Sequence, residues 1–294
     1  MIRFLFVSCL AFAGHSFSAD LKVGEPVFGS DHYTEYVPGE LPLVISSPHG
    51  GALKPESVAN RTSGVRDADA NTQDLARRIT AEIRKQTGKQ VHLIISHLHR
   101  SKLDPNREIV EATQGDKTAE KVWAEYHAFI DLALKAAVAR HGRAFFIDLH
   151  GQSHKDVRVE LGYMHSTSSY AKPTDKLNGP EFIATGSLMF INQIHPDRPY
   201  TDLILGPQSL GALLEERGFL ATPSPRMPVP TEPYFRGGYT VARHVVADLK
   251  IAGLQIEANR VRLRDTSTNR QCFAESLVSA LLVYLPKWMN LELK

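Results

Sequence analysis

The sequence predicts an α/β protein with a mostly parallel or mixed sheet flanked by helices. Apolar runs of strand length alternate with amphipathic helical segments through the first half of the chain, the pattern of a sheet covered by helices. One run, Ala144-Phe145-Phe146-Ile147-Asp148-Leu149, is apolar on both faces, as in a buried parallel strand. The 294 residues, 43% of them hydrophobic, are enough for one large domain.

The elements of the first half follow from periodicity and end signals. Residues 43–47 form an apolar run and are predicted as the first strand. Residues 69–87 are predicted as a helix, because Leu75, Ile79 and Ile83 repeat at four-residue spacing and Gly88 is suited to end it. A strand at 91–96, a helix at 116–141 and a strand at 144–149 complete the alternation.

The second half is less regular. Residues 172–233 are rich in proline and glycine, and residues 223–233 are predicted as a loop over the active face. Helices are expected at 181–192, 209–217, 240–250 and 275–285, and a strand at 254–257. One domain, residues 20–294, with a long insertion is the simplest organisation.

The N-terminus has the pattern of a secretory signal peptide, residues 1–19. Cleavage after Ala13, Ser18 or Ala19 fits equally, and each leaves Cys272 as the only cysteine, so no disulfide within the mature chain is expected. We therefore predict a secreted or periplasmic protein without a stable membrane span. The net charge of +2, with no clustered basic face, argues against a nucleic-acid partner. The oligomeric state is not indicated.

Two histidines follow apolar strands directly, His49 after residues 43–47 and His150 at the end of residues 144–149. Ligands gather at the carboxyl ends of strands in open α/β sheets, and neutral imidazole is the commonest metal ligand. The pair therefore predicts two ligands of one metal, most simply zinc. Seen alone, His49 would be interpreted as a loop histidine that caps a turn.

A catalytic zinc needs a third protein ligand. Asp67, Asp69 and Asp74, which lie around the start of the helix after the first strand, are candidates, and Asp69 is favoured over Asp67 because it opens the helix. The competing interpretation of Asp69 is a helix N-cap. Asp148 lies two residues before His150 on the same strand face and is expected to orient a ligand.

Three further features bear on catalysis. Arg107, in a polar loop after the second strand, could clamp a substrate carboxylate or polarise a carbonyl, or it could be a solvated surface residue. Glu257 ends a late apolar strand and could be a general base or a salt-bridge partner. Gly237 and Gly238 allow close approach of backbone to a ligand, or simply make a turn.

Taken together, these segments resemble the N-formylglutamate amidohydrolase family. The similar stretches run in order over most of the chain: Ser47-Pro48-His49-Gly50-Gly51, Asp67-Ala68-Asp69, Arg100 with Asp104-Pro105-Asn106-Arg107, Asp148-Leu149-His150-Gly151, Gly237-Gly238-Tyr239 and Gln255-Ile256-Glu257-Ala258-Asn259-Arg260. Two differences concern the substrate: Gly151 stands where the family often has serine, and the chain carries an export signal.

The resemblance implies a zinc-carboxypeptidase-like fold and a zinc-dependent amidohydrolase with one zinc per chain. It implies metal binding by His49, His150 and Asp69 or Asp67, a general base at Glu257 and a carbonyl- or carboxylate-binding arginine at Arg107. We expect the remaining matched residues to line the substrate pocket: Arg100, Asn106, Gly238 and Tyr239.

The expected substrate is the amide bond of an N-acyl amino acid. A secreted metallopeptidase or an amidase acting on cell-wall or polyglutamate peptides is the alternative within enzymes. A secreted binding protein that has lost catalysis is the alternative outside them.

Overall fold

A computed structural model describes residues 21–293 of the chain, so the predicted signal peptide lies outside the described residues. The strands form a single eight-stranded sheet in the order β1-β2-β4-β3-β5-β8-β6-β7. They are β1 (Val27–Phe28), β2 (Thr34–Val37), β3 (Leu43–Ser47), β4 (His92–Ser96), β5 (Ala144–Gln152), β6 (Val159–Gly162), β7 (Ala221–Thr222) and β8 (Ile251–Asn259).

The centre of the sheet is parallel and its flanks are mixed. Strands β4, β3, β5 and β8 pair in parallel, whereas β2 runs antiparallel to β4 and β6 antiparallel to β8. The predicted α/β class with a mostly parallel or mixed sheet is therefore confirmed. The parallel strands direct their carboxyl ends, and the residues that follow them, to one edge.

The helices cover both faces of this sheet. They are α1 (Thr72–Thr87), α2 (Ile109–Thr113), α3 (Lys117–His141), α4 (Thr167–Tyr170), α5 (Thr174–Leu177), α6 (Pro180–Ala184), α7 (Met189–Ile194), α8 (Tyr200–Leu205), α9 (Leu210–Glu216), α10 (Tyr239–His244) and α11 (Ser267–Met289). Helices α1 and α11 bury their apolar residues in one core cluster, and α3 packs in a second cluster with the opposite face.

Local signals explain the two long helices of the first half. In α1 the four-residue repeat of Leu75, Ile79 and Ile83 is fully buried, and Gly88 ends the helix with φ 74°. Helix α1 begins at Thr72 rather than at the predicted residue 69, after Asn71 in the left-handed conformation. In α3 the Asp116 side chain caps the start by accepting a hydrogen bond from the Ala119 amide.

The second half departs more from the prediction. The helix expected at 181–192 is two short helices, α6 and α7, and the helix expected at 240–250 ends at His244 before a 3₁₀ turn, Ala247–Leu249. Strand β8 and helix α11 are longer than predicted. The proline-rich loop is held to β6 by Arg158, which donates hydrogen bonds to the Thr231 and Pro233 carbonyls.

Helix α11 is long and apolar enough, by length and composition, to cross a membrane, contrary to the expectation from sequence. In this structure 56% of its most apolar window is buried inside the protein. It packs against α1 and α9, and its buried residues belong to the main core cluster. In this structure, α11 therefore packs as a core helix.

Candidate active site

Three of the predicted metal ligands meet at the carboxyl edge of the sheet. His49, Asp69 and His150 are buried and each offers one ligand atom within 4.8 Å of the others. The Nδ1 atoms of His49 and His150 each lie 3.4 Å from Asp69 Oδ2. Three protein ligands from two imidazoles and one carboxylate are a donor set typical of catalytic zinc.

A carboxylate orients each imidazole. His49 Nε2 donates to Asp104 Oδ1 at 2.6 Å, and His150 Nε2 donates to Asp148 Oδ2 at 2.8 Å. These bonds leave both Nδ1 atoms directed at Asp69, and His49 Nδ1 is buried with no hydrogen-bond partner among the described residues. An orphaned buried nitrogen facing a carboxylate, with its other nitrogen fixed by an acid, fits a divalent metal.

The structure distinguishes Asp69 from Asp67. Asp69 Oδ2 accepts a hydrogen bond from the Gly151 amide at 3.1 Å, and its backbone amide bonds to the His49 carbonyl. Asp69 caps no helix, because α1 begins at Thr72. Asp67 is exposed and lies outside the ligand cluster, so it does not fill the metal-ligand role considered for it.

Opposite charges determine the ionisation of the cluster. Burial alone would raise the pKa of Asp69, but His49 and His150 hold that pKa well below its usual value. His49, Arg100 and Arg107 likewise outweigh burial and lower the pKa of Asp104. Burial opposes the charged form of His150, yet Asp148, Asp69 and Glu257 raise its pKa well above 6.5. Asp69 and Asp104 are therefore ionised at neutral pH.

Glu257 lies beside this cluster on β8. Its partner in the sheet register is His150, and Glu257 Oε1 lies 4.0 Å from His150 Nδ1. Gln255 Nε2 donates to Oε1 at 2.5 Å, whereas Oε2 is buried without a partner. Burial, with the charges of Asp69 and Glu160, raises the pKa of Glu257 to about 8 against the opposing effect of His150. Such a carboxyl can take up and release a proton near neutral pH.

Two arginines line the cleft in front of the cluster, with different surroundings. Arg100 is nearly buried: its Nη1 lies 3.6 Å from Asp69 Oδ1, and its Nε donates to Asp104 Oδ2 at 3.0 Å. Arg107 is about one-third exposed and bonds to Glu111 and to the Asn106 carbonyl. Arg100 is thus fixed near the candidate metal ligands, and Arg107 lines the same cleft in a more exposed position.

The polar loop carrying these residues is anchored from behind. His127 Nε2 donates to the Pro105 carbonyl at 3.1 Å, and Trp123 Nε1 donates to the Arg107 carbonyl at 3.0 Å. Both anchors lie on α3, which packs on the sheet. The loop is therefore positioned by the core rather than by surface contacts.

Of the remaining predicted substrate residues, Asn106 and Gly238 line the cleft and Tyr239 does not. Asn106 Oδ1 accepts from the Thr240 amide, and a Cβ at Gly238 would collide with the Asn106 side chain. Gly238 is thus required for close approach. The Tyr239 ring packs against Trp123, and its hydroxyl accepts a hydrogen bond from Arg243, so this side chain lies outside the cleft.

The cleft lined by the candidate ligands His49, Asp69 and His150, called the metal cleft below, has a volume of about 190 Å³. It lies beside a second cavity of about 340 Å³. The two share five lining residues: Val65, Asp69, Arg100, Gly151 and Phe235.

Sequence reasoning assigned no role to Asp104, Gln255, Val65 or Phe235. Asp104 orients His49 across 55 positions of sequence, a contact that only the fold reveals. Gln255 alternates with Glu257 on one strand face, and that period-two spacing was the available signal.

The chain is similar in fold to N-formylglutamate amidohydrolase from Ralstonia eutropha, with a TM-score of 0.56 and 14% identity, over 87% of this chain and 98% of that one. It is also similar to a gene product from Agrobacterium tumefaciens, with a TM-score of 0.50 and 13% identity, over 83% and 90% of the two chains. No protein-family model and no curated protein matches the chain. The predicted zinc-carboxypeptidase-like α/β fold is thereby confirmed, and the resemblance to the family holds at the level of fold.

Proposed function

We propose that this chain is a zinc-dependent hydrolase that cleaves the amide bond of an N-acyl amino acid. One observation carries the proposal: His49, Asp69 and His150 converge, the Nε2 atoms of the two histidines are fixed by acids, and the buried carboxyl of Glu257 lies 4.0 Å from His150. A metal site, a buried carboxyl of shifted pKa and two arginines in one cleft are the parts that hydrolysis of an amide requires.

His49 Nδ1, His150 Nδ1 and Asp69 would hold the metal. When bound, zinc supplies Lewis acidity that polarises a carbonyl and lowers the pKa of water towards about 7. Asp104 and Asp148 keep both imidazoles in the tautomer whose Nδ1 is free to bind.

The other groups of the cleft have distinct tasks. Glu257 accepts the proton of the attacking water at its unpartnered Oε2 and delivers it to the leaving amine. Arg100, held against Asp69, stabilises the negative charge that develops on the carbonyl oxygen. Arg107, more exposed in the same cleft, binds the carboxylate of the amino-acid portion. These roles divide between the two arginines what sequence reasoning assigned to Arg107.

The name of the Ralstonia neighbour suggests N-formylglutamate as the first substrate to examine. The signal pattern at residues 1–19 supports a secreted or periplasmic location. The second cavity beside the cleft favours a further candidate, an amidase acting on cell-wall or polyglutamate peptides, because a formyl group has no atoms to occupy it.

Metal analysis of the purified mature protein beside its His150→Ala variant tests the proposal. We expect about one zinc per chain, lost in the variant, and release of free amine from N-acyl glutamates by the wild type only. Wild-type protein that takes up no divalent metal when zinc is supplied would contradict the proposed function. Metal binding without turnover of any amide would favour a binding protein.

A further inference from the structure

The cavity beside the metal cleft has features of a substrate subsite. It is larger than the cleft itself, about 340 Å³ against about 190 Å³, and the two are adjacent, with five lining residues in common. Asp69 and Arg100, which stand at the reacting centre, belong to both. A group bound in this cavity would therefore lie next to the scissile bond.

Two apolar side chains line both cavities, beside the charged Asp69 and Arg100. They are Val65 and Phe235, which are 52% and 46% exposed. The Phe235 ring stacks on the His154 ring, with 4.9 Å between the ring centroids, and this contact fixes the orientation of Phe235. Apolar side chains left in water at this position gain free energy when they cover the methylene groups of a ligand.

Two charges in the second cavity lack partners. Arg260 and Asp67 line this cavity but not the metal cleft, and neither side chain forms a hydrogen bond or an ion pair within residues 21–293. The Asp67 charge interacts with His99, whose pKa burial nevertheless keeps below its usual value. The other ionisable groups there are already committed. Arg100 pairs with Asp69 and Asp104, Arg264 donates to backbone carbonyls including that of Ala258, and His154 bonds to Glu160.

One free cation and one free anion in the same cavity select a zwitterion. We propose that the second cavity binds the acyl side of the substrate, and that this acyl chain ends in a free α-amino acid group, as in a γ-glutamyl amide. Arg260 binds the carboxylate, Asp67 binds the ammonium group, and Val65 and Phe235 cover the two intervening methylenes. This inference rests on the proposed function and specifies its substrate class.

The reaction is an ordinary hydrolysis. Water adds to the carbonyl carbon of the acyl chain, the carbon–nitrogen bond breaks, and the leaving nitrogen takes up a proton. The products are a free dicarboxylic amino acid and an amine, and no other reactant is needed.

Five amides of glutamate distinguish the contributions. Their acyl groups are formyl, butanoyl, 4-aminobutanoyl, glutaryl and γ-glutamyl, so that the ammonium and carboxylate groups are present singly, together or not at all. We expect kcat/KM for the γ-glutamyl compound to exceed that for butanoyl by about 100-fold, with about tenfold from each charge, which is the size of one hydrogen-bonded ion pair.

Variants assign each charge to its residue. Arg260→Gln should lower the γ-glutamyl to 4-aminobutanoyl ratio of kcat/KM about tenfold, and Asp67→Asn should lower the γ-glutamyl to glutaryl ratio by a similar factor. Arg262→Gln is the matched control, because Arg262 is an exposed arginine on the same turn that lines neither cavity. Its ratios should equal those of the wild type.

The outcomes separate the two proposals. Turnover of formylglutamate with equal rates for butanoyl and γ-glutamyl would overturn the subsite and leave the proposed function intact. Absence of turnover for all five amides, and for the same acyl groups on other amino acids, would contradict the proposed function. In that case calorimetric binding of γ-glutamylglutamate to the metal-loaded protein still tests the subsite, which is refuted if Arg260→Gln and Asp67→Asn leave affinity unchanged.

Discussion

His49 and Asp104 form a 2.6 Å hydrogen bond between Nε2 and Oδ1, deep in the protein and 55 residues apart in sequence. Asp104 is also held by Arg100, by the Asn106 amide and by Arg61 at 3.9 Å. The imidazole is thus fixed by a carboxylate that is itself fixed. We expect the loss of this bond to reduce metal affinity as much as the loss of a histidine's hydrogen-bond partner does in other metal sites.

Asp104→Asn should therefore weaken metal binding by about 10- to 100-fold. The amide keeps the shape of the side chain but removes the charge that favours the Nε2–H tautomer of His49. Competition with a chromogenic chelator measures the affinity, and thermal melting checks that the variant folds. Asp175→Asn, an exposed aspartate on α5, is the control. Unchanged affinity in Asp104→Asn would show that the bond does not orient a ligand.

Metal affinity should rise with pH through the neutral range. Without metal, the pKa of His150 is raised above 6.5 by its neighbouring carboxylates, and that of Glu257 is raised to about 8, so both groups hold protons at pH 7. A divalent cation requires neutral His150 and favours ionised Glu257, so its binding releases protons. Calorimetry in buffers of different ionisation enthalpy counts them. Zero proton release at pH 7 would contradict this ionisation pattern.

Glu257→Gln should retain the metal and lose about 100- to 10,000-fold in kcat, because the amide cannot accept the proton of water. The variant should also release fewer protons on binding metal than the wild type. Glu275→Gln, an exposed glutamate on α11, serves as the control. A fall in kcat of less than about tenfold would exclude Glu257 as the general base.

Glu35 should make stability depend on acid pH. It is buried on β2, and His97 and a bidentate contact from Arg77 outweigh burial and lower its pKa to about 2. Since the pKa in the unfolded chain is 4.5, its stabilisation is complete above that pH and is lost as pH falls towards 2.

Glu35→Gln should accordingly lower the free energy of unfolding by about 2 kcal/mol at pH 7 and flatten its pH dependence between 4.5 and 2. Urea unfolding at pH 7 and pH 3 measures both effects. Glu25→Gln removes an exposed ion pair with Lys22 and should change little. An equal loss of stability in Glu35→Gln at both pH values would point to packing rather than charge.

Local sequence pattern was sufficient for the centre of the fold. From β3 to β5 the long strands and helices alternate at their natural periods, so their type, order and buried residues followed from the sequence, although α1 begins later and β5 ends later than predicted. Strands β2 and β6 escaped detection because each is four residues long and buries a charged side chain, Glu35 or Glu160. Glu35 is paired with Arg77, and Glu160 accepts from the Phe235 amide as well as from the nearby Arg158. The place of these two strands in the sheet depends on tertiary contacts that no short window contains.

The candidate site was predicted to a similar depth. Strand-end position was enough to bring His49, His150 and Glu257 to one edge, because parallel strands end together. It could not separate Asp67 from Asp69, which depends on the path of the chain before α1, nor anticipate that the Trp123 ring would engage Tyr239. The adjacency of the metal cleft and the second cavity likewise arises only in the folded chain.

Because β5 pairs directly with β8, the geometry of the candidate site depends on the register between these two strands. His150 and Glu257 stand opposite each other because Ala144 pairs with Ile251 at the start of the same ladder. A slip of one residue between these strands would turn one partner to the other face of the sheet. Misregistered molecules would keep most of their backbone hydrogen bonds yet separate the acid from the metal ligands, so specific activity would report the fraction of chains in native alignment.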